Sequence, residues 1–257
     1  MKFQLLPSTF DENGRPSARQ HLACFVIDDC VAIDAGSLAM AATDAQRKQI
    51  RDIVLTHAHL DHIAGLPLFV DDLFATLEEP IRIHATERVI RVLEKDIFNW
   101  QVYPRFGELE NDNGNVLEYR KIKPGRAFSV KHLSIKPLEV NHKVPSVGFV
   151  ITDGKTRIAI SGDTAEPEDF WRGVNAEESL DCMLVECAFP DELGELARAS
   201  HHFTPQLLQK EICKFRHRCP IYVINIKPMY RERVIAQLKR LNIENLDVLE
   251  IGKVYRW

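Results

Sequence analysis

No stretch of this 257-residue chain approaches the ~18 consecutive apolar residues that a bilayer span needs. The opening Met1-Lys2-Phe3-Gln4-Leu5-Leu6-Pro7 is too short in apolar residues to serve as a secretory signal. Neither a membrane span nor a secreted route is therefore expected, and the cytoplasm is the default location. Cys-x-x-Cys pairs are also missing: the six cysteines read as free thiols, and the spacing of Cys213, His217 and Cys219 fits no usual structural zinc site. An excess of basic residues is absent too, with 33 Lys and Arg against 37 Asp and Glu and a net charge of -4. Such a chain exerts no overall pull on nucleic acid, so long nucleic acid is not an expected partner and any polyanion must be held locally. No linker or low-complexity segment interrupts the chain, which reads as one domain over residues 1–257, and 45% apolar content is enough for a sizeable core.

Strand and helix signals alternate along the chain. Leu22 to Ile27 and Cys30 to Ile33 read as strands joined by a tight turn at Asp28-Asp29. A polar helix over Thr43 to Ile50 leads to the strand Ile53 to Leu55, and an amphipathic helix spans about Ala64 to Leu77. Thr86 should cap a helix reaching about Ile97, whereas 99–126, rich in Gly, Asn and Pro, reads as an insertion over the core. Strands near 133–140, 147–152 and 156–160 follow, then a helix near 167–174 and the strand Cys182 to Val185. A helix begins with Thr204 as N-cap and Pro205 at its first position, before the strand Ile221 to Ile226, the helix Arg231 to Leu241 and the strand Val248 to Ile251. The alternation predicts α/β sheets covered by helices, with polar residues gathered at strand ends.

The chemistry concentrates in His57-Ala58-His59-Leu60-Asp61-His62, directly after the apolar run Ile53 to Thr56. A His-x-His-x-Asp-His pattern arises by chance in such a chain with a probability on the order of 0.001. Residues two apart in an extended turn face the same way, so His57 and His59 suit one metal ion while Asp61 and His62 point to a neighbour. Two later strand ends offer further donors: His142, and Asp163 in Ser161-Gly162-Asp163-Thr164, where Gly162 permits a sharp turn. His21, His84 and His132 lie in or beside strands and read as packed or surface residues. Lys210, Lys214, Arg216 and Arg218 gather at the end of a helix, where cations complement its dipole.

In this order and spacing, His57-x-His59-x-Asp61-His62, His142 and Ser161-Gly162-Asp163-Thr164 resemble the metallo-β-lactamase superfamily across nearly the whole chain. The resemblance implies an αβ/βα sandwich of two mixed β-sheets with helices outside. It also implies two divalent ions, zinc first, held by His57, His59 and His142 on one side and by Asp61, His62 and Asp163 on the other. Asp34 matches the early aspartate that orients the metal-binding loop in that family. Glu186-Cys187-Ala188-Phe189-Pro190 and His202-Phe203-Thr204-Pro205 are similar to segments of class II cyclic-nucleotide phosphodiesterases, and the His-x-Thr element to ribonuclease Z. There the histidine donates a proton, a role that maps to His202, although the adjoining His201 competes for it.

One position departs from the pattern. Where these relatives place a histidine that completes the second metal site, this chain has Asn225 in Val223-Ile224-Asn225-Ile226-Lys227-Pro228. An amide oxygen there makes the site oxygen-rich and favours manganese or iron. His201 and Lys227 are candidate phosphate or substrate contacts. The resemblance thus implies a metal-dependent phosphodiesterase in which two cations lower the pKa of a shared water, Asp61 orients the resulting hydroxide and His202 protonates the leaving oxygen. Its substrate would be a small cyclic mononucleotide or dinucleotide, and a homodimer is compatible with the chain. The alternatives are a ribonuclease Z-like tRNA 3'-processing nuclease and a non-hydrolytic diiron, redox-responsive protein.

Overall fold

Short runs of β-branched and aromatic residues carry the chain into two seven-stranded sheets. The computed structural model describes residues 1–257 and divides them into two units, Met1–Lys123 with Ile251–Arg256, and Pro124–Glu250 with Trp257.

In the first unit, Lys2–Leu5 (β1), Phe25–Ile27 (β2) and Val31–Ile33 (β3) form an antiparallel meander. Asp28 and Asp29 turn between β2 and β3 with φ of 46° and 57°, the left-handed pair expected of a tight hairpin turn. Asp52–Val54 (β4), Ile81–Thr86 (β5) and, beyond a small hairpin of Glu110–Asn111 (β6) and Gly114–Asn115 (β7), Leu117–Ile122 (β8) extend the sheet in parallel from β3. The strand Val254–Arg256 closes the other edge against β1. Leu38–Ala41 (α1), Asp44–Gln49 (α2), Leu60–Ile63 (α3), Gly65–Leu73 (α4) and Glu87–Val92 (α5) complete the unit. Its core includes Ile53, Leu55, Ile83, Leu66 and Phe69, all fully buried.

Two elements differ from the sequence reading. The strand expected from Leu22 begins at Phe25 (β2), because Ala23 is used otherwise: its N–H goes to the Asp61 carbonyl and its carbonyl accepts the Gly36 N–H, both at 2.8 Å. The supposed insertion at 99–126 contains β8, which pairs with β5 over six residues, from Ile81 opposite Leu117 to Thr86 opposite Ile122. Its sequence LEYRKI lacks a continuous apolar run because β8 is an edge strand.

In the second unit, Phe128–Val130 (β9), Leu133–Glu139 (β10), Val147–Thr152 (β11) and Arg157–Ile160 (β12) are antiparallel neighbours. Cys182–Glu186 (β13), Ile221–Ile224 (β14) and Leu246–Val248 (β15) then continue in parallel from β12. Glu168–Asn175 (α6), Gly194–Ser200 (α7), Pro205–Ile212 (α8) and Arg231–Leu241 (α9) pack with this sheet around Phe170, Trp171, Phe203, Leu208 and Val234. Thr204 caps α8 by accepting the Leu207 N–H, with Pro205 in the first turn, as its sequence predicts. No helix of the chain is long and apolar enough to cross a membrane.

Candidate functional site

Parallel strands bring their carboxyl ends to one edge of a sheet, and loops there are free to carry ligands. In the first unit β3 ends into Asp34 and β4 into Thr56-His57, and the Asp34 N–H donates to the Val54 carbonyl at 2.9 Å. Asp34 is buried with φ of 58°, a left-handed conformation that aspartate tolerates better than most residues. Its carboxylate collects three protons. Oδ1 accepts the Thr56 N–H at 2.8 Å, Oδ2 accepts His62 Nδ1–H at 2.7 Å, and the Thr56 hydroxyl lies 3.0 and 2.9 Å from the two oxygens.

This arrangement fixes the tautomers of two imidazoles. A carboxylate only accepts, so His62 carries its proton on Nδ1 and its lone pair on Nε2. The Thr56 hydroxyl has given its own proton to Asp34, so at 3.0 Å from His57 Nδ1 it accepts, and His57 likewise keeps its lone pair on Nε2. The rings of His57 and His62 lie 4.1 Å apart and those of His57 and His59 4.6 Å apart. Metal-binding histidines commit their second nitrogen to a carboxylate, carbonyl or hydroxyl in this way, so the donor set fits a divalent cation.

The loop itself is pinned by its backbone. The Asp61 carbonyl accepts from Ala23 and the His62 carbonyl from Ala35, both at 2.8 Å. Gly36 makes this approach possible: a Cβ there would sit 2.0 Å from the Asp61 carbonyl oxygen.

In the second unit β12, β13 and β14 end side by side, delivering Asp163, Glu186 and Asn225, while β10, running in the same direction as β12, delivers Asn141 and His142. Gly162 turns the chain at φ of 63° before Asp163. His142, Asp163 and His202 each offer a ligand atom within 4.8 Å of the others. His142 Nδ1–H donates to the His201 carbonyl at 3.1 Å, again leaving the lone pair on Nε2. That carbonyl is aimed by His201 itself, which ends α7 in a left-handed conformation with φ of 57°.

Glu186, which the sequence reading did not count among the site residues, organises this half. It is fully buried at the end of the wholly buried β13. Oε1 accepts the Thr164 N–H and His202 Nδ1–H, both at 2.8 Å, and Oε2 accepts the Ala188 and Phe203 N–H groups at 3.0 and 3.2 Å. Burial pulls the carboxyl above its ordinary range, opposed by the charge and hydrogen bond of His202. Burial draws the His202 imidazole downward, but the Glu186 carboxylate outweighs it and, helped by Asp163, holds the ring above its usual value, with Lys227 opposing. A charged residue closing an apolar strand was the signal available in the sequence.

Asn225 stands beside Asp163, with φ of 57° and its side-chain nitrogen 2.6 Å from Asp163 Oδ1. The partner is a carboxylate, so the atom facing it is the amide donor, whereas a ligand role calls for the oxygen. His201, the rival proton donor, is half-buried with Nδ1 2.8 Å from Asn141 Oδ1, while His202 is buried against Glu186. Among the remaining candidates, His84 joins a buried cluster with Asp52 and Arg82, and His21 and His132 are exposed. Lys214 pairs with Glu211 at 2.8 Å, and His217 donates to the Val174 carbonyl at 3.0 Å.

Residues 27–217 match the beta-lactamase superfamily domain. A probable 3',5'-cyclic-nucleotide phosphodiesterase of Yersinia pestis is 26% identical over 235 residues, covering 79% of this chain and 66% of that protein. The chain spans between about half and two thirds of the length of the curated relatives it matches first. Among solved structures, unliganded yeast PDE1 superposes with a TM-score of 0.77 at 16% identity over 98% of each chain. The short form of human tRNase Z superposes with a TM-score of 0.67 at 17% identity, covering 100% of this chain and 99% of that one. At such identities the likeness to solved structures is one of fold.

Proposed function

This chain belongs to the beta-lactamase superfamily, and from that premise we propose that it is a metal-dependent phosphodiesterase acting on a small nucleotide, a cyclic mononucleotide or cyclic dinucleotide. The observation that carries the reading is the buried Glu186–His202 pair, with His142 and Asp163 at its side. Following the family resemblance, His57, His59 and His142 are proposed to hold one ion, and Asp61, His62 and Asp163 the second. Zinc suits the imidazole-rich set, and manganese or iron suits the oxygen-richer one. When bound, the ions supply Lewis-acid chemistry, activating water and offsetting charge on the phosphoryl oxygens.

The chain's own residues do the rest. Asp34 holds His57, through Thr56, and His62 in metal-binding tautomers, and the His201 carbonyl does so for His142. Asp61 orients the attacking water. His202 keeps a proton because Glu186 stabilises its charged form, and it gives that proton to the leaving alkoxide. Buried beside Asp163, it suits this role better than His201, whose carbonyl already serves His142.

The test is His202→Ala. Turnover of a diester with a poor leaving group should fall by about 10²–10⁴-fold, turnover of bis(p-nitrophenyl) phosphate should fall much less, and metal content should stay near that of the parent. Full retention of activity on the poor leaving group would refute the assignment. The fold likeness to tRNase Z supports a second reading, a tRNA-processing nuclease, which predicts tight, salt-sensitive binding of precursor tRNA.

A further inference from the structure

Beside His202 the second unit presents an aromatic surface that the proton-transfer chemistry does not require. The Phe189 ring lies 5.6 Å from the His202 ring at 73°, and the Tyr230 ring lies 6.0 Å from Phe189 at 50°. Both are half-buried rather than sealed in the core. Between Tyr230 and the site runs Lys227-Pro228-Met229, and Met229 is 86% exposed, the highest value among the chain's large apolar residues. The two loops that carry these rings are tied together, since the Lys227 N–H donates to the Ala188 carbonyl at 3.1 Å. Phe189 is held in turn by its own N–H, which donates to the Phe203 carbonyl at 3.2 Å. The 3-10 turn Pro228–Tyr230 begins with proline, so its backbone is stiff where Tyr230 leaves it.

We propose that Phe189 and Tyr230, flanked by Met229, form the subsite for a nucleobase, namely the base of the nucleoside whose oxygen is protonated by His202. The inference rests on the phosphodiesterase reading and adds the class of leaving group. The oxygen that takes the proton must lie against the His202 ring, so the nucleoside bearing that oxygen is brought within a few ångströms of Phe189. Apolar rings on a braced loop offer a base a stacking surface that selects no particular base.

The test compares a ligand bearing a base with one lacking it. Adenosine 5'-monophosphate and ribose 5-phosphate are titrated calorimetrically into the metal-loaded full chain, and turnover of 3',5'-cyclic AMP is measured on the same samples. Stacking on an aromatic face is worth about 1–3 kcal/mol per base, so the parent should bind the nucleotide roughly 5–150-fold more tightly than the sugar phosphate. Phe189→Leu and Tyr230→Leu, which keep apolar volume without a ring, should each reduce that ratio by about fivefold or more. Tyr230→Phe should restore it. A ratio near one in the parent, or an equal loss for both ligands in the Leu variants, would overturn the proposal. Hydrolysis of cyclic AMP with a ratio near one refutes the subsite and leaves the phosphodiesterase reading standing. The expected ratio without hydrolysis of any diester refutes that reading, and with it the assignment of the base to a leaving nucleoside.

Discussion

The reach of a single buried carboxylate is tested by Asp34→Asn, a change that preserves shape and removes charge. Three protons end on the two oxygens of Asp34: the Thr56 N–H, the Thr56 hydroxyl and His62 Nδ1–H. Asparagine supplies one oxygen and turns an NH₂ group toward the other position, so at least one of those donors then faces a donor. Each unsatisfied buried donor costs about 1–3 kcal/mol. With one or two donors affected, the metal-free protein should lose roughly 1–6 kcal/mol of unfolding free energy. The second consequence is chemical. If the amide nitrogen meets His62 Nδ1, that nitrogen must accept, the proton moves to Nε2, and the lone pair needed for a metal is lost. Outer partners of metal-binding histidines are worth about 10–100-fold in metal affinity, equivalent to about 1.4–2.8 kcal/mol. Urea unfolding in chelator measures the first effect, and competition titration with a zinc-sensitive dye the second. Thr56→Ala supplies the comparison, because it releases His57 while leaving the Asp34–His62 bond in place. Zinc affinity within twofold of the parent in Asp34→Asn, at unchanged stability, would refute the tautomer argument.

Other changes probe other parts of the account. Glu186→Gln removes the charge that keeps His202 protonated and weakens four buried hydrogen bonds; kcat on a poor leaving group should drop by at least about tenfold, with bis(p-nitrophenyl) phosphate turnover as the internal comparison. Gly36→Ala places a methyl 2.0 Å from the Asp61 carbonyl oxygen, so the metal loop must move; metal stoichiometry should fall even where circular dichroism reports a folded chain. Asp52→Asn tests the buried cluster in which Asp52 accepts from Arg82 at 2.9 and 3.0 Å and from His84 at 2.8 Å. Burial raises the Asp52 carboxyl, but hydrogen bonds from His84 and Arg82 outweigh it and hold the group well below its ordinary range. A depressed carboxylate stabilises the fold above its unfolded pKa, and that stability is lost as pH falls through the folded value. The gap between parent and Asp52→Asn in unfolding free energy, from urea titrations, should therefore be level from pH 7 to about 5 and narrow below about pH 4, its neutral size being roughly 2–4 kcal/mol.

What the sequence made legible was local. His57, His59, Asp61 and His62 fall within six residues after an apolar run, and Gly162 announces the turn before Asp163, so the pattern survives without knowledge of the fold. The hairpin at Asp28-Asp29 and the Thr204-Pro205 start of α8 were readable for the same reason, because turn and cap chemistry is written in adjacent residues. The unread parts depend on partners distant in sequence. Glu186 binds His202 from sixteen positions away and Thr56 binds Asp34 from twenty-two, and neither spacing is a motif. β8 escaped because an edge strand needs only one covered side and tolerates the charges of LEYRKI. Asn225 was placed at the site by analogy, but which end of its amide meets Asp163 is decided by a neighbour sixty-two residues earlier.

The central claim is that paired sets of histidine and aspartate ligands in this chain support metal-dependent cleavage of a small phosphodiester. The most direct measurement is a hydrolysis panel of bis(p-nitrophenyl) phosphate, cyclic mononucleotides, cyclic dinucleotides and precursor tRNA with Zn²⁺, Mn²⁺ and Fe²⁺, run with metal content determined on the same protein. The account predicts turnover of a small nucleotide diester that chelator abolishes and added metal restores. Metal-loaded protein that cleaves nothing in the panel would contradict it.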